Sequence, residues 1–593
     1  MMTDPKTFYQ DRCKTFKSKY GEDLKKLRLL SALRILVFLL TGLGIYAIRD
    51  KPLWATVIGL KGTVVFIFLL KQYQKVKQDY AHHKELYAIN AEELAILDFA
   101  FHDRNDGKTF EKPSHDFASD IDLFGRGSFF QYVNRTGLGE GAEEFANRLQ
   151  SNDCTNIPNK QQALKALAQK TDWRQDFTAE ARRFKTETKT SVIVQWLQTY
   201  KAFIPKVMLW LPYLFCAISG VLFILTSSDL VPPSAILYWL ILGLGITGLY
   251  VKRINQFGPR VSKMKDTVQQ YALLLASIEK ETFDSSILKA QQERIRTENK
   301  MASDIFRDFS RALDAFDNRN NLLVAVLGNG FFLWDLACTY RIEQWIGRYS
   351  HLVEEWFEVV AYFDALNSLG TFVFNHPDFS FPNISEGEKN LIKAESLGHP
   401  LLKPSQRISS DVTLDANDFF IVTGANMAGK STFLRTISLF VMMANNGMPV
   451  CAKTSNYHPI KLLTSMRTSD SLTDESSYFF AELSRLQYII EKLKNESYLV
   501  VLDEILKGTN SVDKATGSKK IIQRLVSMQV PGIIATHDVS LCTLEQELDS
   551  VKNYFFETEI KNDTLFFDYK LKRGTCQNMN ASFLLKHMHI VEE

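Results

Sequence analysis

Two motifs in the last third of the chain constrain its fold more than any other feature. Residues 424–431 read G-A-N-M-A-G-K-S, the G-x-x-x-x-G-K-[ST] pattern of a loop whose backbone N–H groups surround nucleotide phosphates. Residues 498–504 read Y-L-V-V-L-D-E, an apolar run ending in two carboxylates, as expected of a buried parallel strand. In this order the motifs predict an α/β P-loop NTPase domain at the C-terminus that hydrolyses ATP.

The first motif predicts a binding site for ATP and Mg²⁺. The residues expected to surround or touch the phosphates are Gly424, Ala425, Asn426, Met427, Ala428, Gly429, Lys430, Ser431 and Thr432. Lys430 should reach the β- and γ-phosphates, and the Ser431 hydroxyl should bind Mg²⁺. Asp503 is expected to hold the same ion through water, and Glu504 to orient or activate the attacking water. The competing interpretation of the two carboxylates is a solvated strand end, which the upstream loop disfavours.

Neighbouring segments fit the same domain. Residues 419–423 read as a strand before the loop, and residues 432–443 read as a helix after it. Residues 533–538 form another short apolar run, and it ends at His537, where a γ-phosphate sensor would lie. The alternative for His537 is an ordinary hydrogen-bonded polar residue. The run from residue 476 to 482 carries the serines of a helix start.

The order of these motifs resembles the ATPase domain of the MutS family of DNA mismatch-repair proteins, over about 200 residues. The matching strings are His399-Pro-Leu-Leu402, Thr423-Gly-Ala-Asn-Met-Ala-Gly-Lys-Ser-Thr432, Thr468-Ser-Asp470, Ser477-Tyr-Phe-Phe-Ala-Glu482, Leu502-Asp-Glu-Ile-Leu-Lys-Gly-Thr509, Ala535-Thr-His537 and Tyr569-Lys-Leu with Gly574. Weaker similarity extends upstream. Residues 129–139 and 146–148 resemble the start of the family's helical core domain, and residues 363–369 resemble its end.

The resemblance implies a composite active site shared by two subunits. Ser477 matches the signature serine that reaches the nucleotide bound by the partner, so a homodimer is expected. His537 matches the family's switch histidine. Lys507 stands where the family usually has arginine. This departure keeps the charge but loses the planar guanidinium fork, so we expect the coupling across the dimer to differ.

Four apolar segments outside that domain predict two membrane-spanning helical hairpins. They cover residues 29–48, 53–70, 207–227 and 233–251, each about as long as a bilayer core requires. The alternative is a set of core helices buried in a large soluble domain. Lys61 lies within the second segment and would cost roughly 3 kcal/mol there unless it is paired or faces the bundle. A fifth run, Leu322 to Leu336, is shorter and partly polar, so we predict a buried core helix.

Basic residues predict the orientation of the four segments. They precede the first and third segments and follow the second and fourth, at Lys25, Lys26, Arg28, Lys71, Lys75, Lys77, Lys201, Lys206, Lys252 and Arg253. The positive-inside rule then gives a multi-pass membrane protein with four helices, and with both termini and the ATPase domain in the cytoplasm. The 7 cysteines contain no C-x-x-C pair, which suits a reducing compartment without structural zinc or disulfides.

These features together predict an all-α core domain interrupted by a membrane hairpin. The predicted order is a cytoplasmic segment at 1–28, hairpin 1 at 29–70, the first part of the helical core at 71–200, hairpin 2 at 201–252, the second part of the core at 253–385 and the ATPase domain at 386–593. Too few residues precede the core for the family's N-terminal mismatch-reading domain, so we expect it to be absent. Soluble relatives carry lever helices and a DNA clamp where hairpin 2 lies. We therefore hypothesise that hairpin 2 replaces the levers.

Three functions are compatible with the sequence. The favoured one is a membrane-anchored MutS-like ATPase, whose composite dimer site drives a conformational change that acts on an unidentified protein partner. The second is a DNA mismatch-repair protein that binds DNA in an ATP-dependent manner, although the net charge of +3 gives no global basic signature for nucleic acid. The third is an ABC-type transport motor, for which four helices with short external loops offer little pathway.

Overall fold

The protein is described by a computed structural model that covers residues 4–184, 188–298, 300–385, 389–466, 478–507, 510–561 and 564–576. The described chain is helical up to residue 375, and two β-sheets with flanking helices follow from residue 383. A mostly helical first part and a C-terminal α/β part were both predicted from the sequence, and both are confirmed.

Two very long helices form the N-terminal hairpin. Helix α1 runs over Pro5–Ala47 and helix α2 over Pro52–Leu97. The side chain of Asp4 caps α1 by accepting a hydrogen bond from the N–H of Thr7 at 3.0 Å, which satisfies one of the free donors at a helix start. Each helix is about 65–70 Å long at 1.5 Å per residue, so both continue well beyond the apolar segments that the sequence marks.

The two halves of this hairpin have different surroundings. Near the rest of the molecule, Tyr9, Phe16 and Ile96 are buried. In the apolar half, each helix contains a most apolar window of 18 residues, and the described chain buries no residue of either window. The large apolar side chains exposed there are Leu29, Ile35, Leu36, Phe38, Leu39, Leu40, Leu43, Ile45, Tyr46, Leu53, Trp54, Leu60, Val64, Val65, Ile67 and Phe68. For the first pair of apolar segments, the described residues do not adopt the alternative left open by the sequence, which was burial within the chain's own core.

By length and composition, α1 and α2 could each cross a membrane. The second apolar pair differs. Helix α8 (Leu211–Ser227) is shorter, and α9 (Ser234–Gly248) passes the same test only together with α10 (Val251–Lys280), from which it is bent by 67°.

The remaining helices pack into an all-α region around these hairpins. They are α3 (Phe129–Val133), α4 (Gly139–Gln150), α5 (Ile157–Gln169), α6 (Thr171–Arg183), α7 (Thr190–Thr199), α11 (Ser286–Glu293), α12 (Ala302–Asp317), α13 (Asn329–Phe332), α14 (Trp334–Tyr349) and α15 (Val353–Asn375). Short 3₁₀ turns cover Lys108–Phe110, Lys206–Leu209 and Asn318–Asn320.

Buried polar contacts join distant parts of this region. The carboxylate of Asp364 in α15 accepts the backbone N–H groups of Gly137 and Leu138 at 3.0 and 2.9 Å. Burial raises the pKa of Asp364 to about 7. The contact brings together the two segments whose sequences resemble the start and the end of a MutS core domain.

The apolar run from Leu322 to Leu336 is not the single buried core helix that the sequence predicted. It contains a π-helical turn at Val324–Gly328, then α13, and a break at Leu333, whose φ is +49°. Leu322 and Leu323 are 77% and 67% exposed, whereas Leu333 and Leu336 are fully buried. The prediction failed because leucine rarely adopts a left-handed conformation, so the run carries no local signal for the break.

The C-terminal region contains two sheets. Its strands are β1 (Asn383–Ile384), β2 (Asn390–Leu397), β3 (Ser410–Asp415), β4 (Phe419–Gly424), β5 (Thr454–Tyr457), β6 (Lys461–Ser465), β7 (Tyr498–Asp503), β8 (Gly532–Ala535), β9 (Val551–Lys561) and β10 (Thr564–Arg573). Its helices are α16 (Lys430–Asn445), α17 (Tyr478–Lys492), α18 (Ser511–Ser527) and α19 (Leu544–Glu547). The six-stranded sheet has the order β10-β9-β4-β8-β7-β6, and the four-stranded sheet has the order β1-β5-β2-β3.

Five strands of the larger sheet are parallel, and only β10 runs antiparallel at its edge. The carboxyl ends of β4, β7 and β8 therefore meet at one edge of the sheet, where ligands of open α/β sheets bind. The strands predicted before the loop and before the carboxylates, and the helix predicted after the loop, are confirmed as β4, β7 and α16.

Candidate nucleotide site

Glycines in the loop between β4 and α16 leave its backbone accessible to a ligand. Gly424 and Gly429 have φ values of +148° and +107°, which side chains with a Cβ rarely adopt. A Cβ at Gly424 would also lie 2.9 Å from the carbonyl oxygen of Phe556. Helix α16 begins at Lys430, directly after Gly429. Its free N–H groups and positive dipole end therefore face the space above the loop.

Lys430 is buried beneath the loop, with 6% of its surface exposed. Its Nζ donates to the carbonyl oxygens of Gly424 and Ala425 at 2.8 and 2.9 Å. It also lies 3.3 Å from Nε2 of His537. Burial lowers the pKa of Lys430, because the charged form loses solvation. The ammonium group is thus held at the centre of the loop by neutral acceptors that a phosphate could replace.

Ser431 and Asp503 form the pair that the sequence predicted to bind a metal ion. The Ser431 hydroxyl donates to Oδ2 of Asp503 at 2.7 Å. Ser431 lies in the first turn of α16, and Asp503 is the last residue of β7. Two neighbouring oxygen atoms of this kind are the ligands that Mg²⁺ prefers, with water and phosphate filling the remaining positions.

Glu504 and His537 lie on neighbouring strand ends and contact each other. Nε2 of His537 is 2.6 Å from Oε1 of Glu504. The contact with His537 is the main reason that the pKa of Glu504 is lowered to about 2. Glu504 has φ = +50°, and its N–H donates to the carbonyl oxygen of Ala535 at 2.9 Å. The structure therefore brings together four side chains that the sequence named separately: Lys430, Asp503, Glu504 and His537.

Glu482 is a site residue whose role sequence reasoning missed. It is 3% exposed and lies in α17. Its two carboxylate oxygens accept the N–H groups of Leu506 and Lys507 at 2.5 and 3.0 Å. This contact holds the segment that follows Glu504. Glu482 closes one of the strings that resemble MutS, and that was the only sequence signal for it.

A cavity of about 320 Å³ opens beside the loop. Its walls combine apolar and aromatic side chains with a few polar groups, and they include Leu397, His399, Ile408, Phe433, Phe556 and Tyr569. Burial lowers the pKa of His399 to about 4, so this imidazole is neutral at physiological pH. Such a cavity can accept a flat ring attached to a phosphate chain held by the loop. The strands and loops that line this cavity are far apart in sequence, and no residue that contacts the base was predicted from the sequence.

Ser477 and the Thr468–Asp470 string lie outside the described residues. The predicted contact of Ser477 with a partner subunit therefore stays a prediction. Lys507 is described, and its Nζ is 3.9 Å from Oε2 of Glu504. The residue that departs from the family pattern therefore contacts the predicted catalytic carboxylate within its own subunit.

Helix α17 connects this site with the helical region. Arg485 donates to the carbonyl oxygens of His115 and Asp116 at 3.0 and 2.6 Å. The hydroxyl of Tyr488 donates to Oδ1 of Asp116 at 2.7 Å. The same helix holds Glu482, so a shift of α17 would move both the segment after Glu504 and the loop at residues 115–116.

The fold and the site define an α/β domain with a glycine-rich strand–loop–helix and two consecutive acidic residues at the carboxyl end of β7. The comparisons agree with this class. The family model described as MutS domain V matches residues 420–588. The chain is 31% identical over 227 residues to the DNA mismatch repair protein MutS of Acetivibrio thermocellus, covering 37% of this chain and 26% of that protein.

Two further relatives are similar to part of the chain. The MutS protein homolog 4 of Homo sapiens is 30% identical over 196 residues, covering 31% of this chain and 20% of that protein. The DNA mismatch repair protein MutS of Clostridium tetani is 30% identical over 231 residues, covering 37% of this chain and 26% of that protein. The chain thus spans about a quarter or less of the length of these relatives. The C-terminal α/β domain of the chain therefore matches domain V of the MutS family.

Proposed function

We propose that the protein is a membrane-anchored, Mg²⁺-dependent ATPase of the MutS family, whose ATP cycle drives a conformational change in the helical region. The observation that carries the proposal is the convergence of Lys430, Ser431, Asp503, Glu504 and His537 at one edge of the parallel sheet. Each of these groups has the chemistry that ATP hydrolysis requires, and each is within contact distance of another member of the set.

The residues have distinct roles in this proposal. Lys430 exchanges the carbonyl oxygens of Gly424 and Ala425 for phosphate oxygens, which are stronger acceptors for a cation. Ser431 and Asp503 would hold Mg²⁺, which would supply positive charge to neutralise the phosphates. Glu504 is kept ionised by His537 and orients the attacking water as a general base. His537, 3.3 Å from Lys430, is placed to sense whether the γ-phosphate is present.

The adenine would occupy the cavity beside the loop. The cavity borders Gly429, Thr432 and Phe433 at the start of α16, so a base attached to the bound phosphates would reach it. Aromatic and apolar walls favour a flat, weakly polar ring, and the neutral imidazole of His399 can form one hydrogen bond with that ring. This geometry supports a purine nucleotide as the substrate.

The proposed assembly is a homodimer. MutS-family proteins function as dimers, and the position of Ser477 matches the residue that completes the partner's site. The connection through α17, from Glu482 to Arg485 and Tyr488, gives a physical route by which closure of that composite site would move the helical region.

The membrane anchor is proposed from the exposed apolar helices. Contiguous apolar surface of this extent is uncommon on soluble monomers and marks sites that contact membrane or protein. Helices α1 and α2 have the length and composition of membrane spans. Small residues allow them to pack closely, since a Cβ at Gly62 of α2 would overlap Thr41 of α1. Arg34 stacks on Tyr73 at 3.8 Å, which gives this basic side chain a partner near one end of the hairpin.

Equilibrium binding of Mg·ATP tests the nucleotide site. Lys430→Ala should weaken binding roughly 10- to 100-fold, because the phosphates lose a charge-assisted hydrogen bond. Lys520→Ala, which removes an exposed lysine of α18, is the matched control and should leave the affinity unchanged. Equal affinity in the two variants would contradict the proposed role of the loop.

A second candidate function is DNA mismatch repair at the membrane. It is favoured by the printed names of the two bacterial relatives, which are DNA mismatch repair proteins. The test is the rate of ATP hydrolysis by the full-length protein in lipid nanodiscs, without DNA, with matched duplex DNA and with mismatched duplex DNA. A rate that depends on the mismatch would support this candidate. A rate indifferent to DNA would leave the membrane ATPase with a protein or lipid partner.

A further inference from the structure

The segment from Asn321 to Leu333 combines an exposed apolar surface with a broken helix. Its first half exposes large side chains, with Leu322 at 77%, Leu323 at 67% and Leu327 at 45%. Its second half is buried, including Asn329 at 6% and Phe331 at 9%. A surface loop of a soluble domain would carry polar groups at the exposed positions, so the pattern requires another explanation.

The buried half packs against hairpin 2, here α8 and α9 with their connection. A Cβ at Gly243 of α9 would overlap the carbonyl oxygen of Gly330, and a Cβ at Gly330 would overlap Leu240. The rings of Phe331 and Phe223 lie 5.2 Å apart. This is the close backbone approach through small residues by which helices associate inside membranes.

Several polar groups at the break have hydrogen-bond partners within the protein. The side chain of Asn329 donates to the carbonyl oxygen of Ala325 at 3.0 Å and accepts the N–H of Asp335 at 2.8 Å. The carbonyl oxygen of Phe331 accepts the hydroxyl of Ser219 at 2.9 Å, and Trp239 donates to that same hydroxyl at 2.8 Å. Irregular backbone is tolerated at membrane depth only under this condition.

Residues that flank the two ends of the segment contact each other near the bend between α9 and α10. Nε of Arg319 lies 3.2 Å from Oδ2 of Asp335, and another nitrogen of Arg319 donates to Asn255 at 2.8 Å. Gly330 packs on α9 at Leu240 and Gly243, which lie about 9–14 Å along the helix from the bend at residue 249. The chain therefore enters and returns on the same side, and reaches less than half of a hydrocarbon core of about 30 Å.

We infer that residues 321–333 form a re-entrant element embedded in the bilayer, with lipid acyl chains as the partner of Leu322, Leu323 and Leu327. The inference rests on the proposed membrane anchoring of the protein and on the insertion of hairpin 2 that the sequence predicts. Helix α8, whose Phe223 contacts Phe331, also exposes apolar side chains such as Ile224. The preceding residues 318–320 read N-R-N, a polar flank suited to the headgroup region. Because the element does not cross the bilayer, the ATPase domain stays on the side of both hairpin ends.

Spin-label accessibility in lipid nanodiscs tests the inference. Cys13, Cys154 and Cys216 are first replaced by serine, since the other four cysteines are buried. Single cysteines are then introduced and labelled by Leu323→Cys, by Ile224→Cys in hairpin 2 and by Val192→Cys in α7, which are 67%, 67% and 53% exposed in the native chain. Collisions with apolar oxygen and with a water-soluble nickel chelate report the surroundings of each label.

We expect the labels at positions 323 and 224 to favour oxygen and the label at position 192 to favour nickel. Nickel access at 323 with oxygen preference at 224 would overturn the re-entrant element and leave the proposed hairpin intact. Low access of both probes to the label at position 323 would show that protein covers this position. That result would also overturn the re-entrant element. Nickel access at both 323 and 224 would reject the membrane hairpin itself.

A matched glycine pair on α9 sharpens the test. Gly243→Ala should push the segment away from α9 and increase the mobility of the label at position 323. Gly245→Ala, at a position where a Cβ meets nothing within 4 Å, should not. Equal label mobility in both variants would show that the segment does not pack on α9, which would overturn the inferred arrangement.

Discussion

The proposed nucleotide site and the apolar hairpins differ in whether their side chains have partners within the chain. At the nucleotide site, polar groups such as Lys430 and Ser431 already have partners within the chain, and a ligand would exchange those partners. In hairpin 1, no residue of the most apolar window of either helix is buried by the described chain. The first region therefore needs a ligand for chemistry, while the second needs an apolar environment for stability. The helical region with its buried polar contacts joins the two.

Removing the predicted catalytic carboxylate should have the largest effect. Glu504→Gln keeps the shape of the side chain but not its basicity, so turnover should fall about 10²- to 10⁴-fold while Mg·ATP still binds. Hydrolysis of radiolabelled ATP and equilibrium binding measure the two quantities separately. Glu491→Gln, on the exposed face of α17, is the control and should retain full turnover. Wild-type turnover in Glu504→Gln would remove this residue from the mechanism.

The buried carboxyl of Asp364 should make stability fall as pH rises. Its pKa in the folded state is about 7, against an ordinary value of 3.8. Between these two values the folded state binds more protons than the unfolded state, so stability decreases from about pH 4 to pH 7 and stays low above it, by up to about 4 kcal/mol.

The change Asp364→Asn removes that titration. The difference between the thermal midpoints of the wild type and the variant should therefore shift in favour of the variant as pH rises from 5 to 8. The exposed Asp304, changed to Asn, should show no such shift. A difference between wild type and Asp364→Asn that does not vary with pH would contradict the raised pKa.

A charge placed in the apolar window should oppose membrane insertion. Leu39→Arg places a guanidinium group in α1 at a position that is 54% exposed, at a cost of roughly 2.5–3.5 kcal/mol in a bilayer centre. The carbonate-resistant membrane fraction should fall. Val192→Arg, at a 53% exposed position in α7, should not change it. Identical fractions for the two variants would argue that α1 does not enter the bilayer.

The smallest expected effect lies where hairpin 1 joins the helical region. The hydroxyl of Tyr9 donates to Oδ1 of Asn375 at 2.7 Å, and Asn375 in turn donates to Oε2 of Glu93 at 2.8 Å. Tyr9→Phe should lower stability by about 1–2 kcal/mol, because a buried acceptor loses its donor. Tyr20→Phe on the same helix is the control. A thermal midpoint that falls equally in both variants would show that the contact with Asn375 has no special role.

The sequence predicted the strand–loop–helix of the proposed nucleotide site better than the helical region, because the two depend on interactions of different range. Strand β4, the loop and α16 are contiguous, so glycine positions and apolar runs carry enough local information. Helices α1 and α2 continue beyond their apolar segments because charged residues such as those at 71–79 favour helix as well.

Other features had no local signal. The contact between Glu482 and the N–H groups of Leu506 and Lys507 joins residues 24 and 25 positions apart. The pairing of Glu93 with Arg135 and the break at Leu333 likewise depend on tertiary packing. The domain boundaries, the roles of the site residues and the membrane location stay predictions.

The most direct test of a membrane-anchored ATPase is hydrolysis of added ATP by sealed membrane vesicles of defined orientation. Vesicles carrying Glu504→Gln supply the blank. We expect inside-out vesicles to hydrolyse ATP without permeabilisation, and right-side-out vesicles to do so only after permeabilisation. Activity confined to the soluble fraction, or equal rates in wild-type and Glu504→Gln vesicles, would contradict the proposed function.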